Sequence, residues 1–539
     1  MYLLENPVLQ RELLVNLRMP RAFVLLFLYQ ALLGAVVYFA WPQDQRLDLT
    51  TANPAAKNLV SLFFLGQYIL ASLMAPSFAA GSIAGEKERL TYEMLLASPL
   101  KPFAIVLGKM VASLTHLAVL IFSSLPVVML CLPLGGVSLY EVLGMYFGLL
   151  VSVITFGSIS VACSSYFHRT ASALVVSYLL ILPLALLGVL SWYVLENEAA
   201  FRLLLTITVL PGVAAAICIA LLANTSVRLL HPPDVGSEGK EVVDLEIEAQ
   251  EAVGLVIQPD QFPDKLFAPP KREDLLPDNS NPVYDKEIRS EIFSQGTLML
   301  RLVIQVSMLL AIPIMAVCLY ILPERAPWFV SYVILFNMLV GPVFSAGAVT
   351  SERERQTLDL LLTTTITPWQ ILWGKLVAGL RVSSVLTLFL VWPILLACVM
   401  VSSYWWNLPE VASYLGIILL TCLTTAMLAL FCSVVFRRTS ISLMTTYLII
   451  IVLFCAPPAI VTFSNQFLDG AEGVEWTGIT SPFSATFEVP LVIEDDASPK
   501  KGTAGEWHLV GAYAGFTILM DISLLTCMIW LFHSRWRVS

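Results

Sequence analysis

Long apolar runs dominate this chain, and short polar or charged stretches separate them. Six runs of bilayer-spanning length precede residue 231, at about 22–41, 59–84, 103–132, 139–166, 172–194 and 202–230. Six more follow, at about 297–322, 328–350, 369–401, 408–435, 440–463 and 509–533. A hydrocarbon core takes about 20 apolar residues per helix. The pattern therefore predicts an all-α polytopic membrane protein with twelve transmembrane helices. Residues 1–21 follow a different rule. Asn6-Pro7 is a helix start, because Asn caps free N–H groups and Pro in the first turn loses no hydrogen bond. Leu9, Leu13 and Leu17 then share one face, with Arg11 and Arg18 able to meet head groups, which predicts an interfacial amphipathic helix. The plainer alternative is a polar tail. Glu5 and Glu12 interrupt what would be a basic leader, so no cleaved signal peptide is expected.

The pattern is written twice. Residues 81–114 read GSIAGEKERLTYEMLLASPLKPFAIVLGKMVASL, and residues 347–380 read GAVTSERERQTLDLLLTTTITPWQILWGKLVAGL. The copies share Gly81/Gly347, Glu86/Glu352, Glu88/Glu354, Arg89/Arg355, Thr91/Thr357, Pro102/Pro368 and Gly108-Lys109/Gly374-Lys375. Asn281-Pro282-Val283 with Glu287 restarts Asn6-Pro7-Val8 with Glu12, and Gln305 answers Gln30. Cys163-Ser164, Arg169-Thr170 and Tyr178 return as Cys432-Ser433, Arg438-Thr439 and Tyr447. Each half thus holds an amphipathic start and six spans. An even count gives both halves one orientation, as parallel repeats about an axis along the membrane normal. The expected domains are a first half at 1–231, a linker at 232–280 and a second half at 281–539.

Composition agrees with a membrane protein: 58% of residues are hydrophobic and 13% charged, against about 25% charged in soluble domains. Mean hydropathy is +0.81. With both termini cytoplasmic and twelve alternating spans, the other side receives only Arg46, Lys57, Arg202, Arg325, Lys500 and Lys501 of the 30 basic residues. That asymmetry supports the span count and the orientation. The linker is Pro-rich and acidic, and it supplies most of the chain's net charge of −9. It is either a disordered tether or a docked segment, and periodicity does not decide between a helix and a strand at 241–257. Nine cysteines, all within apolar runs, read as small packing residues and not as a disulfide or metal framework.

Between spans two and three of each half lies a short charged helix with an apolar end. An ordinary polar loop would account for Lys87 and Arg89 by topology. It would not account for the acidic pair Glu86/Glu88 recurring as Glu352/Glu354, since acidic residues contribute little to topology. The motif E-[KR]-E-R-x-T-x-[ED]-x-L-L, followed by Pro and by G-K entering the next span, resembles the coupling-helix region of permeases of the type-2 ABC exporter family. The opening N-P-V-L-x-R-E-L is similar to the start of such permeases. The resemblance covers nearly the whole chain as two fused six-span units. It implies one chain supplying both permease halves, and ATPase coupling at Glu86, Glu88, Arg89, Glu352, Glu354 and Arg355, with Lys109 and Lys375 as interface anchors. It also implies a cytoplasmic ABC ATPase partner, in two copies, that rocks the halves to export a substrate, and the location expected with it is a bacterial-type plasma membrane. No G-x-x-x-x-G-K-[ST] occurs in this chain, so ATP and Mg are expected on the partner, with no cofactor, metal, catalytic triad or nucleic acid on this chain.

Asp521 lies near the middle of the last run, where an ionisable group costs a few kcal/mol and normally faces the bundle interior or water. It is either a pathway residue or a neutral helix–helix contact. Two rival functions follow: an ion-coupled secondary transporter centred on Asp521, and a non-transporting membrane scaffold or assembly factor with a permease fold. Gln30, Gln305, Gln67, His116 and Asn337 read as interhelical hydrogen-bond partners. Gly144-x-x-x-Gly148 reads as a close helix approach.

Overall fold

In the computed structural model, each apolar run is a helix wherever it is described. The structure describes residues 7–17, most of 26–38, 54–88, 91–131, 138–167, 170–194, 201, 204–230, 281–289, 297–354, 356–467, 474–495, 498–502 and 507–536. Contacts divide the chain into two units, Met1–Val253 and Gly254–Ser539. The boundary falls inside the expected acidic linker at 232–280, which itself lies outside the described residues.

The first unit runs α1 (Pro7–Leu17), α2 (Pro54–Ala79), α3 (Gly81–Glu88), α4 (Tyr92–Leu96), α5 (Pro102–Cys131), α6 (Leu139–Tyr166) and α7 (Thr170–Val194). A π-helical turn, Leu205–Val209, then leads into α8 (Leu210–Leu230). The second unit repeats the order as α9 (Pro282–Arg289), α10 (Thr297–Met315), α11 (Ala326–Ser345), α12 (Thr350–Glu354), α13 (Leu358–Leu362) and α14 (Pro368–Met400). After these come α15 (Ser402–Trp406), α16 (Leu408–Val435), α17 (Thr439–Ile450), α18 (Ala456–Phe467), α19 (Pro482–Phe487) and α20 (Trp507–Trp536). Ten helices among the described residues are long and apolar enough to cross a membrane, five in each unit. They match ten of the twelve expected runs. The remaining two open the halves: 22–41 is helical at its described residues, and 297–322 is helical from Thr297 through a π turn ending at Ile321.

Each unit is built around one helix. α6 packs against α2, α5, α7 and α8, and α16 packs against α11, α14, α17 and α20. Their buried faces include many small residues: Gly148, Ser152, Gly157 and Ser158 on α6, and Thr421, Thr425, Ala426 and Ala429 on α16. Lipid tails are as apolar as Leu, so helices in a membrane associate by close approach of small residues and by hydroxyl bonds. At Gly148 a Cβ would meet Thr206 Cγ2 at 2.8 Å, which gives the Gly144-x-x-x-Gly148 pattern its reason.

Helix ends follow the local sequence. Ser138 and Glu141 form a capping box for α6, and Thr367 and Gln370 form one for α14, with Pro368 in its first turn. Pro76 and Pro342 interrupt α2 and α11, and a helix-interior proline loosens the backbone bonds around it. The repeated tyrosines answer this. Tyr178 Oη donates to Leu73 O at 2.8 Å and Tyr447 Oη to Leu339 O at 2.6 Å, each three residues before its proline.

The segment at 464–508 is more than a plain loop. It contains a 3-10 turn, Val474–Thr480, then α19, then an antiparallel hairpin of β1 (Val492–Asp495) and β2 (Ser498–Gly502). α19 packs against α11, α16 and α20. Thr480 and Ser481 donate their hydroxyls to Leu453 O and Phe454 O, in the π turn between α17 and α18. The segment is thereby fixed to the helices of its unit.

Candidate functional site

The repeated charged stretches are held alike in the two units, and the buried lysines explain how. In the first unit Lys109, 4% exposed, enters from α5 and bonds Glu86 on α3 at 2.9 Å and Glu12 on α1 at 3.4 Å. In the second, Lys375, 2% exposed, enters from α14 and meets Glu287 on α9 at 2.5 Å and Glu352 on α12 at 3.5 Å. Lys286 adds a second cation to Glu352 at 2.7 Å. Thr91 and Thr357 donate their hydroxyls to Glu86 and Glu352, and their amides to the carbonyls of the same residues. One lysine thus ties three elements together: the amphipathic start, the charged helix after span two, and the head of span three.

The glycine before that lysine is part of the same device. A Cβ at Gly374 would meet Tyr284 N at 3.1 Å, Val283 Cβ at 3.2 Å and Asn281 Nδ2 at 3.0 Å. α9 therefore crosses α14 at a point where only a hydrogen side chain fits, and one turn of reach brings Lys375 onto Glu287. Asn281 fixes the crossing: its Oδ1 accepts from Val283 N at 3.0 Å and its Nδ2 donates to Gln370 O at 2.7 Å.

The second acidic residue of each pair has another task. Glu88 accepts from Thr170 N at 3.0 Å and from its hydroxyl, and Glu354 accepts from Thr439 N and Oγ1 at 2.9 Å. A carboxylate at a helix N-terminus satisfies free N–H groups and opposes the positive end of the dipole. The repeated serines work in the other direction. Ser164 Oγ accepts from Ile83 N and Ala84 N, and Ser433 Oγ from Val349 N and Thr350 N, all within 3.0 Å. The basic residue between the acids caps the neighbouring helix: Lys87 donates to Ser165 O and Phe167 O, and Arg353 to Phe436 O.

Glu86, Glu88, Glu352 and Glu354 are thus brought into internal bonds of their own unit. Arg89 and Arg355 lie outside the described residues. The exposed side chains of the stretch come one turn later. Met94 on α4 is 77% exposed and Leu360 on α13 is 69% exposed, beside exposed Glu93 and Asp359. Leu358 and Leu362, on the opposite face of α13, pack into a cluster of Val349, Leu372, Leu376 and Leu430. α13 is therefore held from behind, and both short helices present an exposed apolar and an exposed acidic side chain. A signal for these tips was present in the sequence: Glu93-Met94 and Asp359-Leu360 repeat as acid then hydrophobe.

Asp521 lies apart from this end. It is 7% exposed, and neither carboxylate oxygen has a hydrogen-bond partner among the described residues. Its helix is held to α16 by Tyr513, whose hydroxyl is 3.0 Å from Thr421 Oγ1. Of the expected interhelical groups, Gln30 donates to Ser123 O and Asn337 Oδ1 accepts from Thr387. His116 lies against Phe78, Gln67 is buried without a partner among the described residues, and Gln305 is exposed.

Among protein families, the model described as "ABC-2 family transporter protein" matches residues 7–230 and again residues 237–526. No curated protein matches the chain. The two matched segments are the two structural units, and they cover nearly all of the sequence. The chain is a membrane protein of the ABC-2 transporter family, with two permease units fused in one polypeptide.

Proposed function

We propose that this chain is the transmembrane half of an ATP-driven pump, docked by its two exposed tips onto a separate ATPase. Membership of the family already implies a permease subunit. What supports the docking reading is one observation: Glu93-Met94 and Asp359-Leu360 stand out at the same place on the repeated short helices, and the back of α13 packs on the head of span three and the end of span four. The same exposed acid-hydrophobe pair recurs in both units, and a short helix laid in a groove is a common recognition mode. Two tips on one chain suit two ATPase copies. With Glu86 and Glu352 fixed to buried lysines, a push on a tip passes to the amphipathic start and to the head of span three as one body. Arg89 and Arg355 keep their place in this proposal as residues next to the tips. The tips then face the cytoplasm, and transport runs outward, the direction that the resemblance to type-2 exporters implies.

Asp521 favours a second reading, an ion-coupled secondary transporter, because a buried carboxyl without a partner is costly unless it has a use. The two readings separate cleanly. Purified chain should show no transport without an added ATPase on the first reading, and Asp521→Asn should leave ATP hydrolysis by the complex within about twofold. Transport by the chain alone that Asp521→Asn abolishes would replace the first reading by the second. A scaffold would show neither transport nor stimulated ATP hydrolysis.

A further inference from the structure

Two cations of the first unit converge on the end of α6 with no carboxylate to meet them. Lys87 Nζ bonds Ser165 O at 2.5 Å and Phe167 O at 3.4 Å. Arg228, from the end of α8, lays its guanidinium on the Tyr166 ring at 3.8 Å, and Asn224 donates to the Tyr166 hydroxyl at 2.8 Å. Lys87 also stands 5.5 Å from the centre of the Tyr92 ring. Tyr166, which Arg228 covers, lies between the two residues whose carbonyls Lys87 bonds, and the Arg228 charge acts against the rise that burial gives the Tyr92 phenol. Arg228 Nε is buried with no hydrogen-bond partner among the described residues. The nearby acids are taken: Glu86 by Lys109 and Thr91, Glu88 by Thr170. Among the described residues neither Lys87 nor Arg228 forms an ion pair.

The second unit does not repeat this corner. Leu358 stands where the first unit has Tyr92, and Val435 where it has Tyr166. The arrangement is therefore not required by the shared fold. Two neighbouring cations on aromatic faces, one with a spare buried donor, suit a single tetrahedral anion that accepts from both.

α8 says which anion. Ile219, Ala223 and Val227 lie four residues apart on one face that is exposed, Ile219 at 69% and Val227 at 58%. That apolar stripe leads along the helix to Asn224 and Arg228. We propose that Lys87 and Arg228 hold the phosphate of an anionic phospholipid, with an acyl chain along the exposed face of α8. Basic corners between transmembrane helices bind lipid head groups in this way. A zwitterionic lipid fits less well, because its ammonium would approach the same two cations. The bound lipid would brace α3 and α4, and so the first tip only.

The test is native mass spectrometry of the delipidated chain, titrated in mild detergent with phosphatidylglycerol or phosphatidylcholine. The wild type should take one phosphatidylglycerol well ahead of phosphatidylcholine. Arg228→Gln should weaken that binding about tenfold, the loss expected of a charge-assisted bond, and Arg228→Lys should recover part of it. Tyr92→Leu, which copies the second unit and spares the clamp, should weaken binding severalfold with an unchanged melting midpoint, and so guards against a misfolded Arg228 variant. Lys101→Gln, an exposed cation of the same unit, should change nothing. The proposal fails if Arg228→Gln and Tyr92→Leu bind phosphatidylglycerol like the wild type, or if the two lipids bind equally. It also fails if millimolar inorganic phosphate displaces the lipid, or if Arg228→Gln costs only ATPase capture, which would assign the corner to a free anion or to an acidic partner residue.

Discussion

At the scale of single residues, the G-K pair at the head of span three joins the amphipathic start to the charged stretch. Gly374→Ala places a methyl against Tyr284 N, an atom of backbone that cannot turn away, whereas nothing lies within 4 Å of a Cβ at Gly416. Gly374→Ala should therefore lower the thermal midpoint in detergent by several degrees, and Gly416→Ala should leave it in place or raise it slightly. Lys375→Met leaves Glu287 and Glu352 facing each other, with Lys286 still on Glu352. Breaking a buried pair costs about 3–5 kcal/mol. Glu287 is 23% exposed, so roughly 2 kcal/mol, or about 5 °C, is the expected loss. Adding Glu287→Gln should restore part of it, and a double-mutant cycle measures the coupling. The sequence displayed Gly374, Lys375, Glu287 and Glu352 as repeats but not their pairing. Glu12 and Lys109 are 97 positions apart, and periodicity carries no information over that range.

At the scale of elements, α4 and α13 divide into a fixed face and a free one. Ser433 fixes the approach to the tip by accepting two buried amides, and Ser433→Ala would orphan both. Each orphan costs about 1–3 kcal/mol, so this change should lower stability more than Thr445→Ala, an exposed hydroxyl bonded only to its own helix. Met94 and Leu360 face outward, and replacing them by Glu should not move the midpoint. The sequence located this element and its acidic residues correctly along the chain. It could not divide the roles, because Glu86 and Glu93 differ only in what surrounds them. The fold places a lysine beside the first and open space beside the second.

At the scale of the whole molecule, hydropathy revealed the class and ten spans that the structure describes as helices, and the repeated motifs revealed the two halves. The segment at 464–508 was less legible. Its hydroxyls at Thr480 and Ser481 bond carbonyls 27 positions away, and a stretch whose order comes from such bonds shows no period of its own. The fusion of two units also carries a prediction. One chain with two tips should assemble with two ATPase copies, so the mass of the detergent-solubilised complex should equal one permease chain plus two ATPases. A complex with two permease chains would mean that the fused units do not complete the pathway alone.

The most direct measurement compares capture of an ATPase by three forms of the chain: wild type, Met94→Glu/Leu360→Glu, and Lys109→Met/Lys375→Met. The account predicts that the tip variant folds with a wild-type midpoint and loses the ATPase. The clamp variant should keep some ATPase but couple hydrolysis to transport poorly. Undiminished capture and transport by the tip variant would contradict the account, because the exposed ends of α4 and α13 would then have no partner to lose.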